Sequence, residues 1–335
     1  MKLSILDQAP ISSGTSAQDA LKASIELAKQ ADKAGYTRYW IAEHHDMSGL
    51  ACPAPDIMLG IIGSQTSTIR IGSGAVLLPH YKPYKVAEAY NLLATLYPNR
   101  IDLGIGRAPG GSAEATMALS TNFLENVRKM PEILDEMLQF LHSNFPKEHL
   151  YAKVAPSPVP PIPPEPWLLG TSQKSAVLAA EKGMQYAFGH FMSDQDGPLI
   201  VEKYRKMFLE HNEGNKHPKA LVAVSVICAE TTEEAEELAL SSLIWKLKED
   251  KGDREGVPTI KEAKAYTFTD DEKEIVQSMR EKIIVGNPTK VKHKLQELKD
   301  KYQTDEFMIV TITHSYEARR KSYELIAQEI GLKKR

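Results

Sequence analysis

The chain has 335 residues, 42% of them hydrophobic and 25% charged, with a formal net charge of −3; this is a globular composition with enough chain to bury a large core. Lysines and arginines are interleaved with acids, so no basic stripe argues for nucleic acid, and no run of about 18 apolar residues argues for a membrane span. Cys52 and Cys228 lie far apart with no CxxC spacing, which excludes a disulfide framework and argues against a zinc site.

Short apolar runs then alternate with longer amphipathic ones. The opening MKLSILDQAP has no long apolar region; residues 3–6 read as a first strand rather than a signal peptide, and the cytoplasm is the expected location. Helical spacing over 17–34 ends at Gly35, a C-cap residue. Residues 39–42 read as strand, 56–67 as helix, 69–78 as a long strand, 84–96 as helix, 101–105 as strand and 119–144 as a long helical region. Prolines crowd between Pro156 and Pro166. Alternation resumes at once, with strand at 167–169 and helix at 175–182, so this stretch reads as a surface loop within one fold. Strands at 186–188, 220–229 and 307–312 and helices at 196–212, 232–246 and 316–330 complete the pattern.

Eight strands alternating with helices predict a parallel sheet with crossover helices. No GxGxxG turn follows the first strand, so a closed TIM (β/α)8 barrel is expected over an open doubly wound sheet. The chain reads as a single domain, 1–335. The charged segment 249–282 breaks the rhythm as an insertion before the last strand, either a lid over the active-site mouth or a surface excursion.

A barrel of this kind carries its site at the C-terminal strand ends. Four places there hold candidate chemistry. After the second strand comes Ala42-Glu43-His44-His45-Asp46. Neighbouring side chains point to opposite sides, so at most one histidine faces the pocket, as a general base or merely as a loop cap. No third ligand at recognisable spacing supports a metal. Gly72 and Gly74 share one face of the third strand, leaving room for a flat ring or for tight packing. Arg107 sits among glycines in Gly104-Ile105-Gly106-Arg107-Ala108-Pro109-Gly110-Gly111, where a guanidinium can give a phosphate two hydrogen bonds or lie idle on the surface. Gly170-Thr171-Ser172-Gln173-Lys174-Ser175 turns strand into helix through hydroxyl residues. Such a helix start attracts anions, although the hydroxyls would cap it in any case. Together these places suggest a mononucleotide phosphate site, a flat-ring site and a histidine within reach of it.

Trp40-Ile41-Ala42-Glu43-His44-His45, Gly72-Ser73-Gly74-Ala75-Val76-Leu77-Leu78-Pro79, Asn91-Leu92-Leu93 and Asn99-Arg100-Ile101-Asp102-Leu103-Gly104-Ile105-Gly106-Arg107 resemble, in order and spacing, the bacterial luciferase-like monooxygenases. Ala179-Ala180-Glu181-Lys182-Gly183 and Val285-Gly286-Asn287-Pro288 continue the likeness, which is weakest over 112–166 and 246–282. Leu6-Asp7-Gln8-Ala9-Pro10 and Arg107-Ala108-Pro109-Gly110 resemble the branch that lacks the luciferase partner subunit.

The resemblance implies a TIM barrel that uses FMN, reduced by a separate reductase, with dioxygen and a small organic substrate. It implies His44 as the catalytic histidine and Arg107 as the phosphate-binding arginine. Gly170, Thr171, Ser172 and Ser175 then fall at the FMN phosphate, and His190 and Phe191 face the cofactor. Gly74-Ala75 falls where the family often has a non-proline cis peptide beneath the flavin. Two departures stand out. The luciferase has glutamate at the position of Thr171, and a reactive cysteine at that of Gly106, so neither thiol chemistry nor light emission is expected. A deazaflavin-dependent reductase and a non-catalytic flavin-binding protein are the alternatives. Family barrels often pair through helices near the second and third units, and the apolar run 57–62 is the expected homodimer face.

Overall fold

The computed structural model describes residues 1–212, 217–253 and 255–334. Its strands are β1 (Lys2–Asp7), β2 (Arg38–Ile41), β3 (Arg70–Ser73), β4 (Val76–Leu77), β5 (Ile101–Gly106), β6 (Glu165–Gly170), β7 (Gln185–Gly189), β8 (Ala220–Cys228), β9 (Ile283–Gly286) and β10 (Glu306–Val310). Its helices are α1 (Ala17–Ala34), α2 (Pro55–Gln65), α3 (Pro83–Leu96), α4 (Ala113–Leu119), α5 (Phe123–Arg128), α6 (Met130–His142), α7 (Gln173–Glu181), α8 (Gly197–His211), α9 (Thr232–Asp250), α10 (Ile260–Ala265), α11 (Asp270–Glu281), α12 (Pro288–Tyr302) and α13 (Tyr316–Ile330). Parallel pairing runs β1-β2-β3-β5-β6-β7-β8, and β10 joins β8 (Phe307↔Val222) to β1 (Leu3↔Phe307). The sheet thus closes into a TIM barrel of eight parallel strands surrounded by helices, as the alternation predicted.

Two-residue alternation along the strands decides what fills the barrel. In β2, Tyr39 and Ile41 point outward into the main helix-facing core, and Trp40 points inward. The inward residues form layers. At the N-terminal end Arg38, Asp102 and Glu306 make a charged plug: Arg38 Nη1 donates to Asp102 Oδ2 and Arg38 Nε to Glu306 Oε1, both at 2.8 Å. Arg70 Nε donates to the other Asp102 oxygen at 2.9 Å. Above the plug, Leu6, Trp40, Trp167, Leu221 and Met308 pack together, with Trp40 and Trp167 edge to face at 5.5 Å. Trp40 Nε1 donates to Asp102 Oδ2 at 2.9 Å, so the indole has its partner. Ala42, Gly74, Gly106 and Gly189 stand at the tips of β2, β3, β5 and β7, and Ala223 lines the same space from within β8. These small residues leave the top of the barrel hollow.

The structure differs from expectation in four places. The strand over 69–78 is two short strands, β3 and β4, separated by a cis peptide at Gly74-Ala75; both pair with β5. The helical stretch 119–144 breaks into α5 and α6, and α4 precedes them. Pro131 stands in the first turn of α6, where its missing N–H is harmless but an unbroken helix from α5 is not possible. Residues 283–302 carry β9 and α12, a further strand–helix unit in which β9 pairs with the C-terminal half of β8. Finally, 249–282 contains two capped helices, α10 and α11, both packed on α9.

Candidate functional site

The hollow at the strand tips is a cavity of about 600 Å³. Leu6, Trp40, Leu169, Leu221 and Met308 form its apolar floor and walls, and Glu43, His44, Arg107, Thr171, Ser172 and Gln195 bring polar groups to its sides. A mostly apolar chamber with a few convergent polar groups is the usual form of a cofactor site.

His44 follows β2 and lines this cavity, held by a backbone bond from its N–H to Cys52 O at 3.0 Å. Its Nδ1 is buried and has no hydrogen-bond partner among the described residues. Burial, reinforced by repulsion from His45 and Lys246, pushes its pKa from the usual 6.5 down to about 4, so the ring is neutral at pH 7. His45 points elsewhere: its Nε2 lies 2.7 Å from Glu43 Oε1. That carboxylate, 4% exposed, also accepts Tyr81 Oη–H at 2.6 Å and Leu77 N–H at 3.1 Å. Glu43 therefore ties the end of β2 to β4 and holds the loop that presents His44.

The paired glycines divide their roles. A Cβ on Gly72 would stand 2.6 Å from Asp102 O and 2.8 Å from Trp40 Nε1, so this glycine serves packing. Gly74 and Ala75, by contrast, line the cavity across their cis peptide.

Arg107 leaves the tip of β5 with an exposed guanidinium that has no ion-pair partner among the described residues. Opposite it, β6 ends at Gly170 and α7 begins. Ser172 and Ser175 form a capping box, which explains why hydroxyls are needed there irrespective of any ligand. The Ser175 hydroxyl, 7% exposed, donates to Ser172 O at 2.7 Å and lies 3.0 Å from Tyr186 Oη, so it is spent on the fold. Ser172 Oγ makes only long bonds within the box, accepting from Ser175 N at 3.4 Å and lying 3.4 Å from Ser175 Oγ, so its hydroxyl is weakly held and can turn to a ligand. Gly170 and Thr171 line the same wall. His44, Gly74, Ala75, Arg107, Gly170, Thr171, Ser172 and Ser175 are thus brought to one cavity.

His190 is not among its lining residues. A short helical turn over 190–192 takes its ring toward α12, where Nδ1 lies 2.8 Å from Tyr302 Oη, and Phe191 and Met192 face the cavity instead. The expectation that His190 faces the cofactor is corrected accordingly. Among its described residues, segment 249–282 also contributes none to the lining; its Val257 bridges to Ser12 and packs with Leu50 and Trp245. Phe191, expected beside His190 at the cofactor, does line the cavity, whereas reading the sequence passed over Gln8, Met192 and Gln195, which lie in loops without a motif. It also passed over the small residues Ala42 and Gly189, whose position at strand tips is a usable signal. Among the described residues no group of three or more histidines, cysteines and acids could hold a metal ion.

Residues 1–304 match the family model described as luciferase-like monooxygenase. The chain is 44% identical over 326 residues to the uncharacterized protein YceB of Bacillus subtilis, covering 97% of this chain and 98% of that one. It is 35% identical to the N-acetyl-S-alkylcysteine monooxygenase of the same organism, over the full length of both. Among solved structures, apo-MsnO8 superposes with a TM-score of 0.87 at 34% identity, covering 100% of this chain and 99% of that one. The FMN complex of the oxygenating constituent of 3,6-diketocamphane monooxygenase from Pseudomonas putida has a TM-score of 0.73 at 22% identity and comparable coverage (100% and 99%), a likeness of fold. The matched length and the cavity at the strand tips lead to one conclusion: this chain belongs to the luciferase-like monooxygenase family.

Proposed function

We propose that this chain is an FMN-dependent monooxygenase acting on a small organic substrate, with its cofactor reduced elsewhere by a separate reductase. One observation carries the reading. Among the described residues, an arginine without an acidic partner and a hydroxyl-bearing helix start face one side of a cavity whose other side presents an imidazole with an unmet hydrogen bond. A flavin mononucleotide suits that arrangement: its anionic end against Arg107, Thr171, Ser172 and the first N–H groups of α7, its flat ring over Gly74-Ala75 and the apolar floor.

Bound reduced flavin would supply the electrons that activate dioxygen. The chain's own residues do the rest. Arg107 and Ser172 bind the phosphate and set the depth to which the ring enters. The Ser175–Tyr186 pair keeps the first turn of α7 in register. Trp40, Leu169, Leu221 and Met308 exclude water from below. His44, uncharged at pH 7, accepts a proton at its imidazole and returns it, the task for which a neutral buried histidine is suited. Segment 249–282, packed through Val257 on Leu50 and Trp245, would close the mouth once ligands are in place. The thioether substrate class named for the 35% identical relative belongs in the first substrate panel.

A homodimer is proposed through α2 and α3, which lie side by side with Ile57, Ile61, Leu92 and Leu96 exposed at 65, 40, 48 and 57%. A monomer by light scattering at micromolar concentration would overturn it. The cytoplasm is the proposed location.

The test is calorimetric titration of the whole chain with oxidised and reduced FMN, riboflavin and deazaflavin coenzyme, repeated on Arg107→Ala. FMN is expected to bind, and the variant to lose about tenfold or more in FMN affinity with little change for riboflavin. No uptake of either FMN form, or a preference for the deazaflavin, would refute the reading. Dioxygen consumption with the substrate panel, lost in His44→Gln while FMN binding persists, separates an enzyme from a flavin-binding protein.

A further inference from the structure

The order of strands around the barrel divides the cavity into two halves. One half runs from β2 through β3 and β5 to β6. Among the described lining residues it carries every charged or titratable side chain: Glu43 and His44 after β2, and Arg107 after β5. The other half runs β7-β8-β10-β1. Ala187, Phe191, Leu221, Ala223, Met308 and Leu6 line it, and none of its described lining residues is charged. Its polar side chains are two amides, one at each end: Gln195 in the loop from β7 to α8, and Gln8 just past the tip of β1.

Both amides are held in place and left free. Along β1, Leu6 faces inward, Asp7 outward and Gln8 inward again. Asp7, fully buried, accepts the Ala9 N–H at 2.6 Å and a bond from Arg319 of α13 at 2.5 Å, so the backbone on either side of Gln8 is pinned. The Gln195 N–H donates to Ser193 Oγ at 3.2 Å, and that hydroxyl donates to Thr171 O at 3.2 Å, which ties this loop to the end of β6. Neither side-chain amide has a hydrogen-bond partner among the described residues. Each offers one carbonyl oxygen and two N–H donors to a ligand.

The flavin reading places phosphate and ring on the charged half, against Arg107, Ser172 and Gly74-Ala75. The uncharged half is left for the substrate. A carboxylate entering it would give up water, meet no cation and share one cavity with the flavin phosphate. A carboxamide or N-acyl group loses far less on leaving water, and it can both accept from and donate to a glutamine amide. The apolar surface between Gln8 and Gln195 takes the rest of the molecule.

We infer that the β7-β8-β10-β1 half is the substrate side of the cavity, and that Gln8 and Gln195 there select a neutral, mainly apolar substrate bearing a carboxamide or N-acyl group and reject its carboxylate counterpart. The inference rests on the flavin reading and gives it a substrate class and two specificity-determining residues.

Calorimetry on the FMN-loaded chain compares matched pairs, (benzylthio)acetamide against (benzylthio)acetate and hexanamide against hexanoate, in the wild type, Gln8→Leu, Gln195→Leu and Gln195→Lys. In the wild type each amide should bind at least about tenfold more tightly than its carboxylate. Gln8→Leu and Gln195→Leu should each weaken the amides about threefold to tenfold and FMN less than about twofold. Gln195→Lys should strengthen the carboxylates about threefold or more, a gain that salt reduces and that a merely structural role for Gln195 would not produce. Carboxylates bound as tightly as the amides, no uptake of either amide, amide affinities unchanged in both leucine variants, or a larger loss of FMN than of amide in those variants would overturn the inference and leave the flavin reading intact. Failure of the wild type to bind FMN would overturn both.

Discussion

His44→Gln tests the electrostatic account of the cavity directly, because it removes a proton site without removing the polar side chain. The folded pKa of His44, about 4, lies below the ordinary 6.5. Between these values the unfolded chain takes up a proton that the folded chain refuses, so the His44 contribution is intact above about pH 6.5 and is lost as the pH falls toward 4. Integrating the two titrations gives a penalty of about 0.2 kcal/mol at pH 7 and about 2 kcal/mol at pH 5. Wild-type protein should therefore lose about 2 kcal/mol more than His44→Gln between pH 7 and pH 5, which for a chain of this size is a difference of about 3 °C in melting temperature. Urea unfolding of both proteins at the two pH values measures it, and every other titrating group cancels in the double difference. Parallel pH profiles for the two proteins would refute the burial of His44, and with it the argument that the imidazole stands neutral and ready to accept a proton at pH 7.

Other parts of the structure make equally definite claims. Asp102→Ala takes from Arg38 and Arg70 the buried carboxylate that bonds both, leaving them a 3.4 Å contact with Glu165 and Arg38 its bond to Glu306, and should cost about 3 kcal/mol in urea unfolding. Cys52 and Cys228 are buried with thiol pKa values pushed up to about 12, so neither should react with a disulfide reagent at pH 8 until the chain is unfolded. Gly104→Ala brings a Cβ within 2.1 Å of Ser73 O and should lower stability by at least about 2 kcal/mol. Gly106→Ala, whose Cβ would meet Ala75 Cβ at 3.1 Å, should fold and instead narrow the cavity, which FMN titration would register as weaker binding.

Much of this was legible in the chain itself because it depends on local periodicity. Trp40, alone among the residues of β2 in the interior cluster, follows from two-residue alternation, and Gly35 at φ 87 ends α1 as a glycine there should. The position of Arg107 and the helix start at Ser172 could be placed at strand tips for the same reason. What failed has physical causes. Residues 283–286 are a four-residue strand behind a charged helix, too short to stand out against the loop composition around it. In the stretch 119–144, one proline in an otherwise helical pattern decides where the helix restarts. His190 was assigned by its place after a strand, yet a single short turn reverses which side chain faces inward, and no periodicity records that.

The order of strands and helices, the inward and outward faces of each strand, and the residue types available at the strand tips were written in the chain, since each depends on neighbours within a few positions. Whether Gly72 or Gly74 serves the cavity, whether the Ser175 hydroxyl is free or spent on Tyr186, and which cations share a groove with Arg107 depend on residues 11 to 96 positions apart meeting in space. Those outcomes belong to the closed barrel, because only closure brings the tips of separate strands to a common centre.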